Sequence, residues 1–351
     1  MLFDLHPKER REELFGRERE IEYSVNQLLS KNWILIGGQR EMGKTSLMKV
    51  VINELRKEHG FKGIYINLRG VRNLNSLLEM MLSEISNTKI ELNVRINFMI
   101  GSAGVKVKKG AKVVNSLIEL LNSIEDNFVI GLDEVQELSQ ASKYFLGVLG
   151  NVFTSNEKVR FIFTGSYIGV TRSLIDPPSL SPLHGRPPVV LNLRRFREEE
   201  SASFLKRGME ELNLDFNRED QVVKRLDGVV GWLTLFGNLH AVRGMSFEDA
   251  LNSTVAEGSK IMVDEFKHFL ENKGNKALYV KLMEIVKVVS RWSEIKRGIE
   301  ISLGNIDDKE LTLALDSLVN NNFMEKGDKG EYKIVDPLLR EIDFGRIWLP
   351  T

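Results

Sequence analysis

The chain has 351 residues, 42% hydrophobic and 28% charged, a make-up expected of a folded soluble protein with room for a core domain of about 200 residues and one or two smaller ones. Lys plus Arg and Asp plus Glu each number 49, so the net charge of zero confines any nucleic-acid site to a local patch. The absence of cysteine excludes disulfides, thiolate zinc sites and iron–sulfur clusters. The histidines His6, His59, His184, His240 and His268 lack metal-site spacing. No apolar run reaches the roughly 18 residues that span a membrane, and the amino-terminal MLFDLHPKERREE is charged rather than signal-like, so a cytoplasmic location is expected.

Along the first 195 residues, short branched apolar runs alternate with helical stretches. The runs Trp33–Ile36, Ile64–Leu68, Phe128–Leu132, Phe161–Thr164 and Val189–Leu193 suit strands buried on both faces of a parallel sheet. Helical patterns lie at Thr45–Lys57, Leu74–Ser86 and Asn115–Ser123, which predicts an α/β core over residues 1–196. An insertion at about 90–112 alternates apolar and polar residues around Gly101-Ser102-Ala103-Gly104 and reads as a β-hairpin carrying Arg95, Lys106, Lys108, Lys109 and Lys112.

From residue 197 the pattern turns helical, with Glu198–Leu212, Asn217–Leu226, Trp232–Arg243 and Phe247–Leu270, the last with a candidate break at Gly258; this predicts a helical domain over 197–271. After a linker, Lys276–Val289, Ser293–Arg297 and Asp308–Val319 read as helices and Phe323–Val335 as a strand–turn–strand. Three helices and a hairpin in that order outline a winged-helix domain over 276–351.

Chemistry concentrates in the α/β core. Gly38-Gln39-Arg40-Glu41-Met42-Gly43-Lys44-Thr45, followed by Ser46, meets the phosphate-loop pattern G-x-x-x-x-G-K-[ST], with an apolar strand entering and a helix leaving. Glycines allow the backbone N–H groups to point at phosphate oxygens, Lys44 would reach the β- and γ-phosphates of ATP, and Thr45 would ligate Mg²⁺. The run Phe128–Leu132 ends in Asp133-Glu134, where Asp133 would hold Mg²⁺ and Glu134 would polarise the attacking water. A third strand ends in Thr164-Gly165-Ser166, whose hydroxyls could lie near the γ-phosphate or simply close a strand. The glycine spacing does not fit the dinucleotide pattern G-x-G-x-x-G, and no Asn-Lys-x-Asp guanine-reading segment occurs.

On these residues the chain resembles the archaeal ATPase family, a branch of the P-loop NTPases near the STAND and AAA-type proteins, and more distantly archaeal replication initiators. The supporting segments are Leu14-Phe15-Gly16-Arg17-Glu18, Gly38–Ser46, Leu132-Asp133-Glu134-Val135-Gln136, Phe163–Ser166, Ser181–Arg186, Gly228–Trp232 and Tyr332–Pro337. The resemblance implies a sheet of order 5-1-4-3-2, a helical lid and a winged helix. It also puts Phe15, Gly16 and Arg17 by the adenine or ribose of ATP or ADP, and Arg186 where relatives keep an arginine finger, a structural arginine being the alternative. STAND proteins carry Gly-x-Pro in the lid, whereas this chain has Gly231-Trp232-Leu233.

Residues 261–351 contain 14 Lys plus Arg and 16 Asp plus Glu, and the candidate recognition helix opens Asp307-Asp308-Lys309-Glu310. Phosphate contact needs positive charge, so a protein partner suits this domain better than DNA. The basic hairpin 95–112 is the better nucleic-acid candidate, or a solubility device at strand edges. Three functions follow in order: an ATP-hydrolysing molecular switch that regulates a partner, an initiator-like or DNA-remodelling ATPase, and a small-molecule P-loop kinase.

Overall fold

The five apolar runs become five parallel strands of one sheet. The computed structural model describes residues 1–88, 111–165, 170–271 and 273–347, so the proposed hairpin, apart from its last two positions, lies outside the described residues. The chain divides into two units, one of His6–Gly38 and Gly43–Leu193, the other of Met1–Leu5, Gln39–Met42 and Arg194–Thr351.

In the first unit the strands are β1 (Ile34–Gly37), β2 (Lys62–Asn67), β3 (Phe128–Asp133), β4 (Val159–Thr164) and β5 (Val189–Asn192). Their order is β2-β3-β4-β1-β5, the expected 5-1-4-3-2, and every neighbouring pair is parallel. Strands β3 and β4 are buried at all six positions, as their continuous apolar sequences require with both faces covered. Among the described residues of this unit the α-helices are α1 (Glu18–Leu29), α2 (Lys44–Glu58), α3 (Leu74–Ser86), α4 (Ala111–Asn122), α5 (Ser142–Ser155) and α6 (Val170–Ile175). Trp33, Phe153, Phe161 and Phe163 form an aromatic cluster in its core, with the Trp33 and Phe161 rings 4.8 Å apart.

The second unit begins with α7 (Glu198–Glu210), α8 (Glu219–Leu226), α9 (Val230–Gly237) and α10 (Phe247–Glu271). Two sequence expectations change here. The helix expected over Trp232–Arg243 passes into a π-helical turn at Asn238–Val242. Gly258 does not break α10: a Cβ there would lie 2.3 Å from Leu338 Cδ1, so the glycine serves close packing inside a continuous helix. The first residues of the chain also belong to this unit. Phe3 is fully buried among Phe204, Gly208 and Gly237, and its carbonyl accepts a 2.9 Å bond from Asn238 Nδ2.

The winged helix follows as α11 (Lys276–Ile285), α12 (Trp292–Leu303), α13 (Asp308–Asn320) and the antiparallel pair β6 (Met324–Lys326) and β7 (Tyr332–Ile334), with a short α14 (Phe344–Ile347). A bridge between Arg291 and Glu331 extends the wing. The end of α10 enters its core, where Phe266 lies 5.2 Å from Phe323 and 5.1 Å from Phe344, ring to ring. The Asp307 side chain caps α13 by accepting from the Lys309 and Glu310 N–H groups.

Candidate functional site

Strand β1 runs into Gly38, and α2 starts at Lys44 after Gly43, whose left-handed φ of 82° favours a glycine. The first N–H groups of α2 have no partner within the helix and carry its positive dipole end, the arrangement that binds phosphate. Lys44 Nζ donates to the Gly38 carbonyl at 3.1 Å. Ser46 Oγ accepts from the Lys8 N–H at 3.1 Å.

The packing of α2 on the sheet sets the next contact. A Cβ at Gly131 of β3 would lie 2.7 Å from Ile52 Cδ1 and 2.8 Å from the Met48 sulfur, so only glycine admits α2 this close. Met48 and Ile52 share a helical face with Thr45. Thr45 Oγ1 thereby donates to Asp133 Oδ2 at 2.8 Å.

Asp133, 3% exposed at the end of β3, is held by three hydroxyls. Besides Thr45, Tyr65 of β2 donates to Oδ2 at 2.8 Å, and Thr164 at the end of β4 donates to Oδ1. Burial, with the adjacent Asp133 charge and hydrogen bond, pushes the Tyr65 phenol well above its ordinary pKa, so it stays a donor. Tyr65 pairs with Gly131 in the β2–β3 register, and Lys49 Nζ sits 4.7 Å from its ring centroid. Reading strands singly gives no signal for Tyr65; the neighbouring positions of β2 and β3 in the expected sheet order would have pointed to it.

Glu134 follows in a left-handed conformation, φ 59° and ψ 46°, uncommon for a residue with a side chain. Its N–H donates to Thr164 Oγ1 at 3.1 Å, which fixes the turn against β4. Its carboxylate accepts from Gln136 Nε2 at 2.5 Å and stands 3.9 Å from the Arg69 guanidinium. Lys44, Thr45, Asp133, Glu134 and Thr164 thus lie within the first unit, at the carboxyl ends of parallel strands, where α/β folds bind ligands.

Gln39, Arg40, Glu41 and Met42 belong to the second unit. Arg17 is 2% exposed and ion-paired with Glu20 at 3.0 Å, just after Phe15 and Gly16 at the start of α1. Arg186 is exposed, its guanidinium 5.5 Å from the Phe153 ring centroid. Ser166 lies outside the described residues.

A five-stranded parallel sheet, a glycine-bounded loop entering a helix, and that helix's hydroxyl against an acidic strand end define a P-loop ATPase fold with a carboxyl-terminal winged helix. The chain belongs to the family of ATPase domains found predominantly in Archaea, whose pattern residues 14–236 match. Residues 273–335 match the carboxyl-terminal winged helix-turn-helix domain of MCM proteins. Among solved structures, the chain is similar to a Walker-type ATPase of Pyrococcus abyssi, with 28% identity, a TM-score of 0.81, and 97% of this chain and 99% of that one covered. It also shares the fold of the Aeropyrum pernix ORC2 protein in ADPNP–ADP complexes, with 15% identity, a TM-score of 0.65, and 99% and 95% covered. No curated protein matches the sequence.

Proposed function

We propose that the chain binds ATP with Mg²⁺ and hydrolyses it, and that the cycle switches the second unit between two arrangements with different affinity for a protein partner. The observation that carries this reading is the 2.8 Å contact between Thr45 Oγ1 and Asp133 Oδ2 beside the amino terminus of α2. Both groups are oxygen donors, and hard oxygen donors suit Mg²⁺. When bound, Mg²⁺ neutralises charge on the β- and γ-phosphates. Thr45 and Asp133 would hold it; Gly38, the 39–42 segment, Gly43, Lys44 and Ser46 would cradle the phosphates. Glu134, oriented by Gln136, would accept the proton of the attacking water. Thr164 would fix both acidic residues rather than touch the γ-phosphate directly, since its hydroxyl is engaged by Asp133 and by the Glu134 N–H.

Phe15, Gly16 and Arg17 are assigned to the base and ribose end, and Arg186 to a neighbouring protomer's γ-phosphate; its exposure supports action in trans. Residues 197–271 are read as the lid and 276–351 as the partner-binding domain. Val288, Ile301 and Leu313 of the winged helix are 86%, 81% and 58% exposed, and Lys296 is paired with Asp308 at 2.6 Å at the start of α13. Exposed apolar side chains and an acidic helix start in the same domain support a protein partner over a phosphate backbone. Among the described residues no helix is long and apolar enough to cross a membrane.

The test is ATP turnover by the purified protein with and without duplex DNA, beside Lys44→Ala and Glu134→Gln. Lys44→Ala should lose tight ATP binding, and Glu134→Gln should bind ATP yet turn over roughly 10²-fold or more slowly. Wild-type turnover in Glu134→Gln would remove Glu134 from the mechanism. DNA-stimulated, steeply salt-dependent turnover would favour the initiator-like reading, and phosphate transfer to a metabolite the kinase.

A further inference from the structure

The middle of the phosphate-loop motif, Gln39–Met42, is packed within the second unit, and its contacts there are specific. Gln39, 6% exposed, donates its amide to Asp336 Oδ2 at 2.6 Å. Asp336 is fully buried just beyond the wing strand β7, and it also accepts from Trp232 Nε1 at 3.2 Å and from the Leu338 N–H at 2.8 Å. Two further ties hold the same segment. Arg40 pairs with Glu265 of α10 at 3.1 Å, and the Gly231 N–H donates to the Glu41 carbonyl at 2.8 Å. Glu41 itself sits at φ 60°, a conformation that a non-glycine residue holds only when its surroundings over-determine it.

These contacts have a direction. A carboxylate accepts and never donates, so it dictates which end of the Gln39 amide faces it. Burial pushes the Asp336 carboxyl up, while Leu338, Trp232 and Gln39 act the other way by hydrogen bonding. Few donors serve a deeply buried group, so losing one is expensive, and Gln39 is held in place by the need of Asp336 as much as by its own.

We propose that Asp336 is a positioning residue for nucleotide binding: acting through Gln39, it holds the 39–42 segment in the conformation that presents the loop's N–H groups to phosphate. The inference rests on the reading of 38–45 as the nucleotide loop. Gly231, at the position where STAND lids carry Gly-x-Pro, then acts on the loop backbone through Glu41. Because coupling is reciprocal, nucleotide at the loop must also stabilise the segment around Asp336.

The experiment is a double-mutant cycle read by titration with N-methylanthraniloyl-ADP, on the wild type, Asp336→Ala, Gln39→Ala and the double variant, with thermal unfolding of each. Each single variant should weaken binding by roughly tenfold, and the double variant by no more than either single one. Additive losses, or an unchanged Kd in Asp336→Ala with a lowered Tm, would overturn the proposal and leave Asp336 a structural residue. A wild type that does not bind the nucleotide would remove the nucleotide reading itself, a different result from binding that ignores Asp336. Hydrogen exchange of the wild type keeps the test open should a variant fail to fold. Saturating ADP should slow amide exchange at residues 334–339 at least severalfold, and unchanged exchange there would refute the coupling.

Discussion

The hydroxyl of Tyr65 and the hydroxyl of Thr45 converge on one oxygen of Asp133, each at 2.8 Å. If Thr45 turns to Mg²⁺, Tyr65 remains the donor that keeps this oxygen in place. Tyr65→Phe keeps the ring under Lys49 and removes only that bond. The expected outcome is a Mg²⁺ requirement for ATP turnover shifted upward about tenfold or more, as for other residues that orient metal-binding groups, with little change in Tm. A Mg²⁺ titration of turnover checks it.

Gly131→Val should act at the same contact by another route. Its side chain would collide with Met48 and Ile52, forcing α2 off β3. Overpacking of this kind costs about 1–3 kcal/mol, so denaturant unfolding should show a loss in that range. Displacement of Thr45 from Asp133 should weaken Mg²⁺-dependent ATP binding more than Mg²⁺-free binding.

Glu200 supplies a pH prediction. Arg194 grips both its oxygens at 2.6 Å and the Arg197 N–H donates to it at 2.7 Å, which holds its carboxyl down at about 2. A folded-state pKa below the unfolded value near 4.5 means stabilisation that is full above that value and lost as pH falls through about 2. Glu200→Gln should therefore cost about 1 kcal/mol at neutral pH, the scale of a helix cap, with the deficit shrinking as the solution is acidified. Chemical unfolding of both proteins between neutral pH and pH of about 2 measures it.

Phe3→Ala should destabilise the second unit by about 3–5 kcal/mol, the cost of emptying a buried aromatic site. Hydrogen exchange should show the loss in α7 and α9 while the sheet of the first unit stays protected.

The strands were legible because each is an uninterrupted apolar run, and their order came from the family resemblance that the glycine loop and the acidic strand end carry. Lys44, Thr45, Asp133, Glu134 and Thr164 were legible because each stands at a strand end or helix start, whereas Tyr65, inside β2, was not. What escaped was long-range. Phe3 sits in a charged opening stretch and gives no local hint of burial. Gly258 reads as a break because glycine is a poor helix former, while the approach of Leu338 that demands it lies 80 residues further on. Asp336 stood out as part of Tyr332–Pro337, yet nothing nearby in sequence names Gln39 as its partner. The left-handed turn at Glu134 was equally silent, being imposed by Thr164 on another strand.

The burial of Phe3 among helices some 200 residues later constrains how the protein is made. Residues 1–5 precede the α/β unit in the sequence, yet they group with the helical unit that follows it. The α7 and α9 residues that enclose Phe3 are synthesised only after the α/β unit, and only then does the second unit close. Residues synthesised before the sheet are thus among the last to find their place, and a disruptive substitution among them would be felt in the completion of the helical unit rather than in the sheet.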